Sequence, residues 1–385
     1  MKRRIAVITG TRAEYGLLKP IMDRIKASAG LELLTLVTGM HLSPEHGETV
    51  KLIEKDKFRI TAKVDMLLGS NSSGGMVKSL GIGVYGLAQA LEMVRPDIVL
   101  VLGDRTEAFA GAIAATYLNL PVAHVHGGDR GKGDIDERVR HAITKLSHLH
   151  FPASRLSAER IIKLGECGQY VFTVGAPGLD TIIGQKIKTK EKMLRDLGLA
   201  GLKNSPYFLV LQNPVTTEPD LSYEQMSETL AAMSGFDEYK IIIRPNSDAG
   251  HTGINQAIDE YRNDRLIKVF SNVKRDDYLC LMKHAAALVG NSSSGIIEAP
   301  LFGLPVINLG VRQAGRERSA NVIDATHDRQ AISKALKRAL YDQQYRRQAA
   351  NCRNPYGYGH ASERIVRILA KIKLDKDLLQ KQIAY

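Results

Sequence analysis

Carboxylate, imidazole and guanidinium side chains stand directly after short apolar segments in the first half of the chain. Asp104 and Arg105 follow Ile98–Leu102, and His126 follows Val122–Val125. A carboxylate or imidazole in such a position is suited to general acid–base chemistry or to binding hydroxyl groups. Asp104 has a second, structural interpretation, in which its carboxylate only caps the helix that follows.

Asp136 and Glu137 lie where a glycine-rich loop, residues 127–134, leads into a predicted helix. An acidic side chain in the first helical turn caps free N–H groups, which is the structural interpretation of Asp136. The functional interpretation is an acid–base group held at a cleft. The role of Glu137 is not separable from that of its neighbour, so both residues stay candidates.

The segment GNSSSGIIEAP, residues 290–300, places a glycine-rich turn before a helix predicted to begin near Ser294. Free N–H groups and hydroxyls at a helix N-terminus bind phosphate, and Glu298, one turn later, could accept hydrogen bonds from ribose. Plain N-capping by Ser293 or Ser294 is the alternative. The phosphate-site candidates are Asn291, Ser292, Ser293, Ser294 and Gly295.

Arginines recur at the predicted carboxyl ends of strands, where an anion could bind. Arg12 lies in GTRAEYG after the first strand, and Arg312 and Arg316 follow Val306–Leu309. A guanidinium group is suited to bidentate contact with phosphate, although each arginine taken singly could be an exposed surface residue. Arg105 and Arg244 occupy equivalent positions and join the candidates.

Short apolar, β-branched segments alternate with helical patterns along the chain, which predicts the α/β class with two Rossmann-like, doubly wound domains. The predicted strands are Ile5–Thr9, Leu31–Val37, Ile98–Leu102, Val122–Val125, Leu149–Phe151, Val171–Val174, Phe208–Leu211, Lys240–Ile243, Ile267–Phe270, Ala287–Val289 and Val306–Leu309. We place the junction near Ala176–Asp180, which gives domains over 1–178 and 179–360. Ligands of such domains bind beyond the carboxyl ends of the strands, so two facing edges would form a central cleft.

The charge and the amino-acid composition limit the kinds of molecule that the protein is expected to bind. The net charge of +12, from 53 Lys+Arg against 41 Asp+Glu, fits an anionic ligand or a merely basic surface. We rank nucleic-acid binding last, because the chain has 8 Phe, no Trp and no aromatic stacking motif. The absence of paired cysteines, of a signal peptide and of an 18-residue apolar stretch predicts a cytoplasmic protein without a membrane span.

Two patterns resemble cofactor sites but are interpreted otherwise. His124 and His126 would share a sheet face if the strand continued, yet no third metal ligand follows nearby, so we predict no metal. GIGVYG, residues 81–86, matches GxGxxG but lies inside a helical pattern from Met76 to Met93 with no preceding strand. We therefore interpret these glycines as helix packing and predict no cofactor.

The motifs taken together resemble one family, the hydrolysing UDP-N-acetylglucosamine 2-epimerases, and most of all their sialic and legionaminic acid branch. The motifs that carry the resemblance, in chain order over residues 5–320, are GTRAEYG, LVLGDRTEA, HVHGGD, IDERVRHAITKLSHLHF, LQNPVTTE, GNSSSGIIEAP and INLGVRQAGR. The resemblance implies a glycosyltransferase-B-like architecture, a C-terminal helix within 361–385 that packs on the first domain, and a homodimer.

The implied reaction has two stages and needs neither metal nor nicotinamide. A base removes the proton at C2 while UDP leaves C1, which forms a glycal; water then adds and releases an N-acetylmannosamine-type sugar. The resemblance assigns Arg12, Ser292, Ser293 and Arg312 to the phosphates and Glu298 to the ribose. It assigns Asp104 and Asp136 to acid–base chemistry or sugar positioning.

Two departures from the family pattern bear on the mechanism. Many members carry Glu where this chain has His126, so His126 could itself be the base or acid. The family motif that usually begins with His begins here with Asn213, and an amide cannot transfer a proton at neutral pH. UDP- or GDP-linked N,N'-diacetylbacillosamine, a glycosyltransferase activity and a non-catalytic nucleotide-sugar-binding protein therefore stay open as alternatives to UDP-N-acetylglucosamine epimerisation.

Overall fold

A computed structural model describes residues 2–44, 47–69, 73–130, 135–183, 187–203, 205–215, 217–245 and 250–385. The chain forms two compact units, each with its own parallel sheet. The first unit contains the described residues of Met1–Arg130, Asp134–Ile183 and Tyr356–Tyr385. The second contains those of Gly184–Pro355.

The sheet of the first unit has six parallel strands in the order β3-β2-β1-β4-β5-β6. The strands are β1 Arg3–Thr9, β2 Leu31–Thr38, β3 Ile60–Val64, β4 Ile98–Leu102, β5 Val122–Val125 and β6 Leu149–Phe151. The chain order reverses between β1 and β4. The carboxyl ends of these strands and of β5 therefore lie side by side, where doubly wound folds bind ligands.

The sheet of the second unit has the order β12-β11-β10-β7-β8-β9. Its strands are β7 Tyr207–Leu211, β8 Tyr239–Ile243, β9 Ile267–Phe270, β10 Ala287–Gly290, β11 Val306–Leu309 and β12 Val322–Ala325. The reversal point falls between β7 and β10, so residues 212–213 and 291–294 follow neighbouring strands.

Helices cover both faces of each sheet. Those of the first unit are α1 Arg12–Ala27, α2 Val50–Lys55, α3 Ser73–Val94, α4 Thr106–Tyr117, α5 Ile135–Leu146, α6 Arg155–Lys163, α7 Gly178–Ile183, α15 Ala361–Lys371 and α16 Lys376–Leu379. Those of the second are α8 Lys190–Asp196, α9 Ser222–Met233, α10 His251–Glu260, α11 Arg275–His284, α12 Ser293–Ile297, α13 Arg329–Tyr341 and α14 Gln343–Ala350. Within the described part of the chain, no helix is long and apolar enough to cross a bilayer.

Alternating side chains of each strand enter different cores, because successive residues of a strand point to opposite faces. Ile5 and Val7 pack in one core of the first unit, and Ala6 and Ile8 in the other. Burial on both faces explains why the strands read as continuous apolar segments rather than alternating ones. The predicted class, with two doubly wound units, is confirmed.

The predicted strands match the structure within two residues, with one exception. Val171–Val174 is not a strand: Val171 forms a single isolated bridge with His150, and the sheet ends at β6. Two strands were not predicted, β3 and β12. Both lie at sheet edges and are only partly buried, so their sequences lack the continuous apolar pattern of central strands.

The C-terminal segment belongs to the first unit. Ile365, Val366 and Leu369 of α15 join the core that also contains α1. The Asp180 carboxylate accepts hydrogen bonds from the backbone N–H groups of Ala361 and Ser362, at 3.0 and 2.7 Å. An acidic group at these free N–H groups stabilises the start of α15.

Candidate active site

His126 occupies a strained position immediately after β5. Its backbone has φ +62°, a left-handed conformation that residues other than glycine rarely adopt. The imidazole Nδ1 lies 2.9 Å from Oδ2 of Asp129, whose Oδ1 accepts a hydrogen bond of 2.8 Å from the Ser157 hydroxyl. His126 Nε2 is buried and has no hydrogen-bond partner among the described residues. The imidazole is thus held from one side with its other nitrogen unpaired.

Asp104, which follows β4, forms an ion pair with Arg140 of α5. A second guanidinium nitrogen of Arg140 donates to the backbone carbonyl of Asp129 at 2.8 Å. Arg140 is almost fully buried, so removing its carboxylate partner would leave a buried charge with less compensation. One arginine therefore joins the segments after β4 and β5, and brings Asp104 and the loop of His126 into one network.

Asp136 and Glu137 lie in the first turn of α5, as predicted. Asp136 is exposed, and Glu137 is half-buried with its carboxylate 3.6 Å from His141. Arg12 is exposed at the first position of α1, which Thr11 caps with its side chain. These three residues stand at the same sheet edge as Asp104 and His126, since each follows a strand of the first unit.

A cavity of about 870 Å³ lies beside the carboxyl ends of β2, β3 and β4. Met40, Met66 and Leu68 supply apolar walls, and Arg105 and Glu107 supply polar ones. The Arg105 guanidinium contacts the Glu107 carboxylate at 3.3 Å. The mixture of methyl groups and a few charged groups is typical of small-molecule sites.

Two glycines make room for Glu107. A Cβ atom at Gly10 would lie 2.4 Å from the Glu107 side chain, and one at Gly39 would lie 2.3 Å from its Oε1. A second buried carboxylate, that of Glu14, accepts a hydrogen bond from the Gly10 N–H at 2.9 Å. Burial raises the pKa of Glu14 to about 8; the Gly10 N–H opposes the shift and the charge of Glu107 adds to it.

In the second unit, Asn291 joins the ends of β7 and β10. Its side-chain amide accepts from the Asn213 N–H at 2.7 Å and donates to the Asn213 carbonyl at 2.8 Å. Gly290 makes this close approach possible, because a Cβ there would lie 2.1 Å from the Leu211 carbonyl oxygen. Asn291 was predicted as a binding residue, but the structure commits its amide to holding the backbone of Asn213.

The predicted serine cluster begins α12 one residue earlier than expected. Ser292 caps the helix by accepting from the Ser294 N–H at 3.3 Å, and Ser293 is its first residue. The Ser294 hydroxyl lies 2.5 Å from Tyr278 Oη. A Cβ at Gly295 would come within 2.9 Å of Val306, so Gly295 serves close packing on β11.

Arg312 and Gln313 both donate to the backbone carbonyl of Asn291, at 3.3 and 2.9 Å. Arg312 is half-buried, which places a guanidinium group beside the serine turn. Arg316 is also half-buried and lies on the same loop. The structure therefore brings Arg312 together with Asn291.

Two other predicted binding residues have protein partners. The Glu298 carboxylate accepts hydrogen bonds from both terminal nitrogens of Arg275, at 3.2 and 2.5 Å. Arg244 donates to Asn255 and to Asp259 of α10, at 2.9 and 2.5 Å. A ligand would have to share these partners or displace them.

The condition for His124 and His126 to share a sheet face is not met, because β5 ends at Val125 and the chain turns there. His124 Nε2 contacts the Gly103 carbonyl at 2.7 Å, and burial lowers the pKa of His124 to about 3. Among the described residues, no group of three or more His, Cys, Asp or Glu side chains could hold a metal ion.

Sequence reasoning did not single out Asp129, Arg140 or Ser157, which complete the network around His126 and Asp104. The motif HVHGGD contained a usable signal, since Asp129 lies three residues after His126. No local pattern indicates that Arg140 reaches Asp104, 36 residues earlier in the chain.

Known proteins are similar to this chain over most of its length. The family described as UDP-N-acetylglucosamine 2-epimerase matches residues 23–370. The UDP-N,N'-diacetylbacillosamine 2-epimerase (hydrolyzing) of Legionella pneumophila is 40% identical over 385 residues, the whole of both chains. The GDP/UDP-N,N'-diacetylbacillosamine 2-epimerase (hydrolyzing) of Campylobacter jejuni is 35% identical over 84% of each chain.

Among solved structures, UDP-GlcNAc 2-epimerase from Neisseria meningitidis bound to UDP-GlcNAc superposes with a TM-score of 0.84 at 20% identity. The match covers 96% of this chain and 100% of that one. At this identity the likeness establishes a shared fold.

Proposed function

Because the chain belongs to the UDP-N-acetylglucosamine 2-epimerase family, we propose that it hydrolyses a UDP-linked 2-acetamido sugar and inverts carbon 2. The observation that carries this proposal is the 40% identity over the full length of both chains to a hydrolysing epimerase. The cluster of His126, Asp104 and Arg140 at the carboxyl edge of the first sheet agrees with it, since the reaction needs a base and fixed charges.

The proposed roles follow from side-chain chemistry. His126 is the candidate base, and Asp104, Asp136 and Glu137 are candidates for donating or accepting protons at the sugar. In the second unit, the hydroxyls of Ser292 and Ser293 and the guanidinium group of Arg312 bind the diphosphate. Because α12 has five residues, hydroxyls and guanidinium contribute more to this binding than the helix dipole.

We propose UDP-N,N'-diacetylbacillosamine as the first substrate, because two of the relatives are named for that sugar. The apolar walls of the cavity beside Arg105 would suit acetyl methyl groups and a deoxygenated carbon 6. UDP-N-acetylglucosamine, the sugar first expected, is the second candidate, since the Neisseria structure with the same fold contains it.

The test is a proton NMR time course in D2O with UDP-N,N'-diacetylbacillosamine, UDP-N-acetylglucosamine and GDP-N,N'-diacetylbacillosamine in separate tubes. We expect free UDP and a manno-configured sugar with deuterium at C2 from the first tube, at the highest rate. Nucleotide release only after an acceptor is added would instead support a glycosyltransferase. No turnover in any tube would contradict the proposal.

A substitution at Asn213 distinguishes a working enzyme from a non-catalytic binding protein. The resemblance implies a histidine at this position in most relatives, and Asn291 fixes the backbone of Asn213. We expect Asn213→His to leave turnover unchanged or to lower it, because the proposed base lies in the first unit. Initial rates of UDP release measure this. A gain of activity from an inactive wild type would support the binding-protein alternative.

A further inference from the structure

We propose that Asp129 is a positioning residue that holds the His126 imidazole with its Nε2 lone pair available to remove the proton from C2 of the sugar. This inference rests on the proposed function and assigns its first chemical step. The carrying observation is an Asp–His–Ser arrangement at the carboxyl end of β5, in which the buried second ring nitrogen of His126 has no hydrogen-bond partner among the described residues.

The hydrogen bonds determine which ring nitrogen carries the proton. An ionised carboxylate can only accept, so the 2.9 Å contact between Asp129 Oδ2 and His126 Nδ1 requires the proton on Nδ1. In the neutral ring, Nε2 then carries the lone pair. A base must present this lone pair to the substrate, and Asp129 selects the required tautomer.

Asp129 is itself held on two further sides. The Ser157 hydroxyl donates to its second carboxylate oxygen at 2.8 Å, and Arg140 donates to its backbone carbonyl at 2.8 Å. Gly128, just before it, packs so closely on α6 that a Cβ would lie 2.2 Å from the Ser157 carbonyl. The carboxylate therefore has little freedom to leave the imidazole.

The position of His126 carries two costs that packing alone does not explain. A left-handed backbone at a non-glycine residue costs on the order of 1–3 kcal/mol. A buried nitrogen without a partner costs about 1–3 kcal/mol more. Strain and unpaired polar atoms concentrate at functional sites, and both occur on His126 within the described part of the chain.

The step balances without any additional reactant. Nε2 takes the C2 proton, the electrons of that C–H bond form the C1=C2 double bond, and the C1–O bond breaks with its electron pair leaving on UDP. Water then supplies hydroxyl to C1 and a proton to the opposite face of C2, and the proton on Nε2 returns to solvent. Asp129 stabilises the imidazolium formed between these events.

Asp129→Asn is the primary test, because it keeps the shape of the side chain and can still accept from Ser157. Its amide can donate to Nδ1 and favour the wrong tautomer, so we expect kcat to fall roughly 10²- to 10⁴-fold with KM changed only a few-fold. Substrate deuterated at C2 should show a larger isotope effect on kcat in the variant than in wild type. A structural defect would lower kcat without changing the isotope effect.

A double-mutant cycle with His126→Asn tests whether Asp129 acts through His126. Asparagine tolerates the left-handed backbone but cannot act as the base. We expect Asp129→Asn to cause no further loss of kcat when His126→Asn is present. Asp328→Asn, an exchange at a helix cap in the second unit, is the matched control and should keep wild-type kcat.

The outcomes separate the two proposals. If the wild type is active and Asp129→Asn keeps a kcat within threefold of it, the positioning role is overturned. Losses of kcat that multiply in the double variant would also overturn it. An unchanged isotope effect would do the same. A wild type that turns over none of the three nucleotide sugars would overturn the proposed function and this inference with it.

Discussion

At the residue scale, the first unit shows carboxylates in contrasting surroundings. Asp104 is paired with Arg140, and Asp129 with His126 and Ser157, so their charges are matched by donors. Glu14 lies buried near Glu107 with one hydrogen bond from Gly10, and its pKa is raised to about 8. Burial thus raises the pKa of Glu14 into the range near neutral pH.

We expect Asp104→Asn to lower kcat by about 10²-fold or more. The variant loses the negative charge beside the proposed reaction centre, and Arg140 loses its ion-pair partner. UDP release under saturating substrate measures the effect, and circular dichroism checks that the fold survives. Turnover like that of wild type would remove Asp104 from the catalytic assignment.

Glu14 should make stability depend on pH. Its folded pKa lies above the ordinary 4.5, so its contribution to the free energy of unfolding is complete below pH 4.5 and is lost as pH rises through about 8. Glu14→Gln keeps an acceptor for Gly10 but cannot ionise. We expect the variant to gain stability relative to wild type between pH 5 and pH 8.5, by on the order of a few kcal/mol.

Urea unfolding at several pH values measures this difference. Glu224→Gln, at an exposed carboxylate of α9, is the control for the exchange of Glu for Gln. A difference for Glu14→Gln that stays constant with pH would mean that the pKa of Glu14 is the same in the folded and the unfolded protein.

At the scale of elements, the turn from β10 into α12 depends on one glycine. Gly290 has φ +136°, and its Cα approaches the carbonyl end of β7 too closely for any side chain. The close approach allows Asn291 to bridge to Asn213 and presents the serine hydroxyls beside Arg312. The geometry of the proposed phosphate site therefore depends on strand pairing as much as on the serines themselves.

Gly290→Ala should destabilise the protein by about 2 kcal/mol or more, because a Cβ 2.1 Å from the Leu211 carbonyl forces the strands apart. Thermal unfolding measures the change. Gly201→Ala is the matched control in the same unit, since a Cβ there meets no atom within 4 Å. Equal melting temperatures for the two variants would contradict the proposed constraint.

At the scale of the whole molecule, the chain forms two doubly wound units, and the proposed catalytic and phosphate-binding groups lie in different units. The first unit presents the proposed acid–base cluster, and the second presents hydroxyls and guanidinium groups suited to phosphate. The C-terminal residues from Tyr356 onward return to the first unit. The expected homodimer stays a prediction.

We expect Ser292→Ala combined with Arg312→Ala to weaken UDP binding by about 100-fold or more, since each hydrogen bond to a charged group contributes about 1.5–3 kcal/mol. Calorimetry with UDP measures the affinity. Ser234→Ala combined with Arg329→Ala, two exposed positions of the same unit, is the control and should bind like wild type. Unchanged affinity in the first double variant would move the phosphate site elsewhere.

The fold class, the central strands and the residues that follow those strands were predictable from the order of the amino acids. A strand that is buried on both faces has a continuous apolar sequence. The polar turn after it lies at the edge of the sheet where ligands bind. Such patterns are local, so Asp104, His126 and the serine turn were visible without coordinates. The edge strands β3 and β12 were not visible, because half-buried strands lack that pattern.

The partners of these residues were not predictable, because they come from distant parts of the chain. Arg140 reaches Asp104 across 36 positions, Ser157 reaches Asp129 across 28, and Asn291 reaches Asn213 across 78. The raised pKa of Glu14 and the requirement for Gly290 depend on atoms supplied by other elements. Electrostatics and close packing act through space, and no pattern of neighbouring residues encodes contacts made by folding.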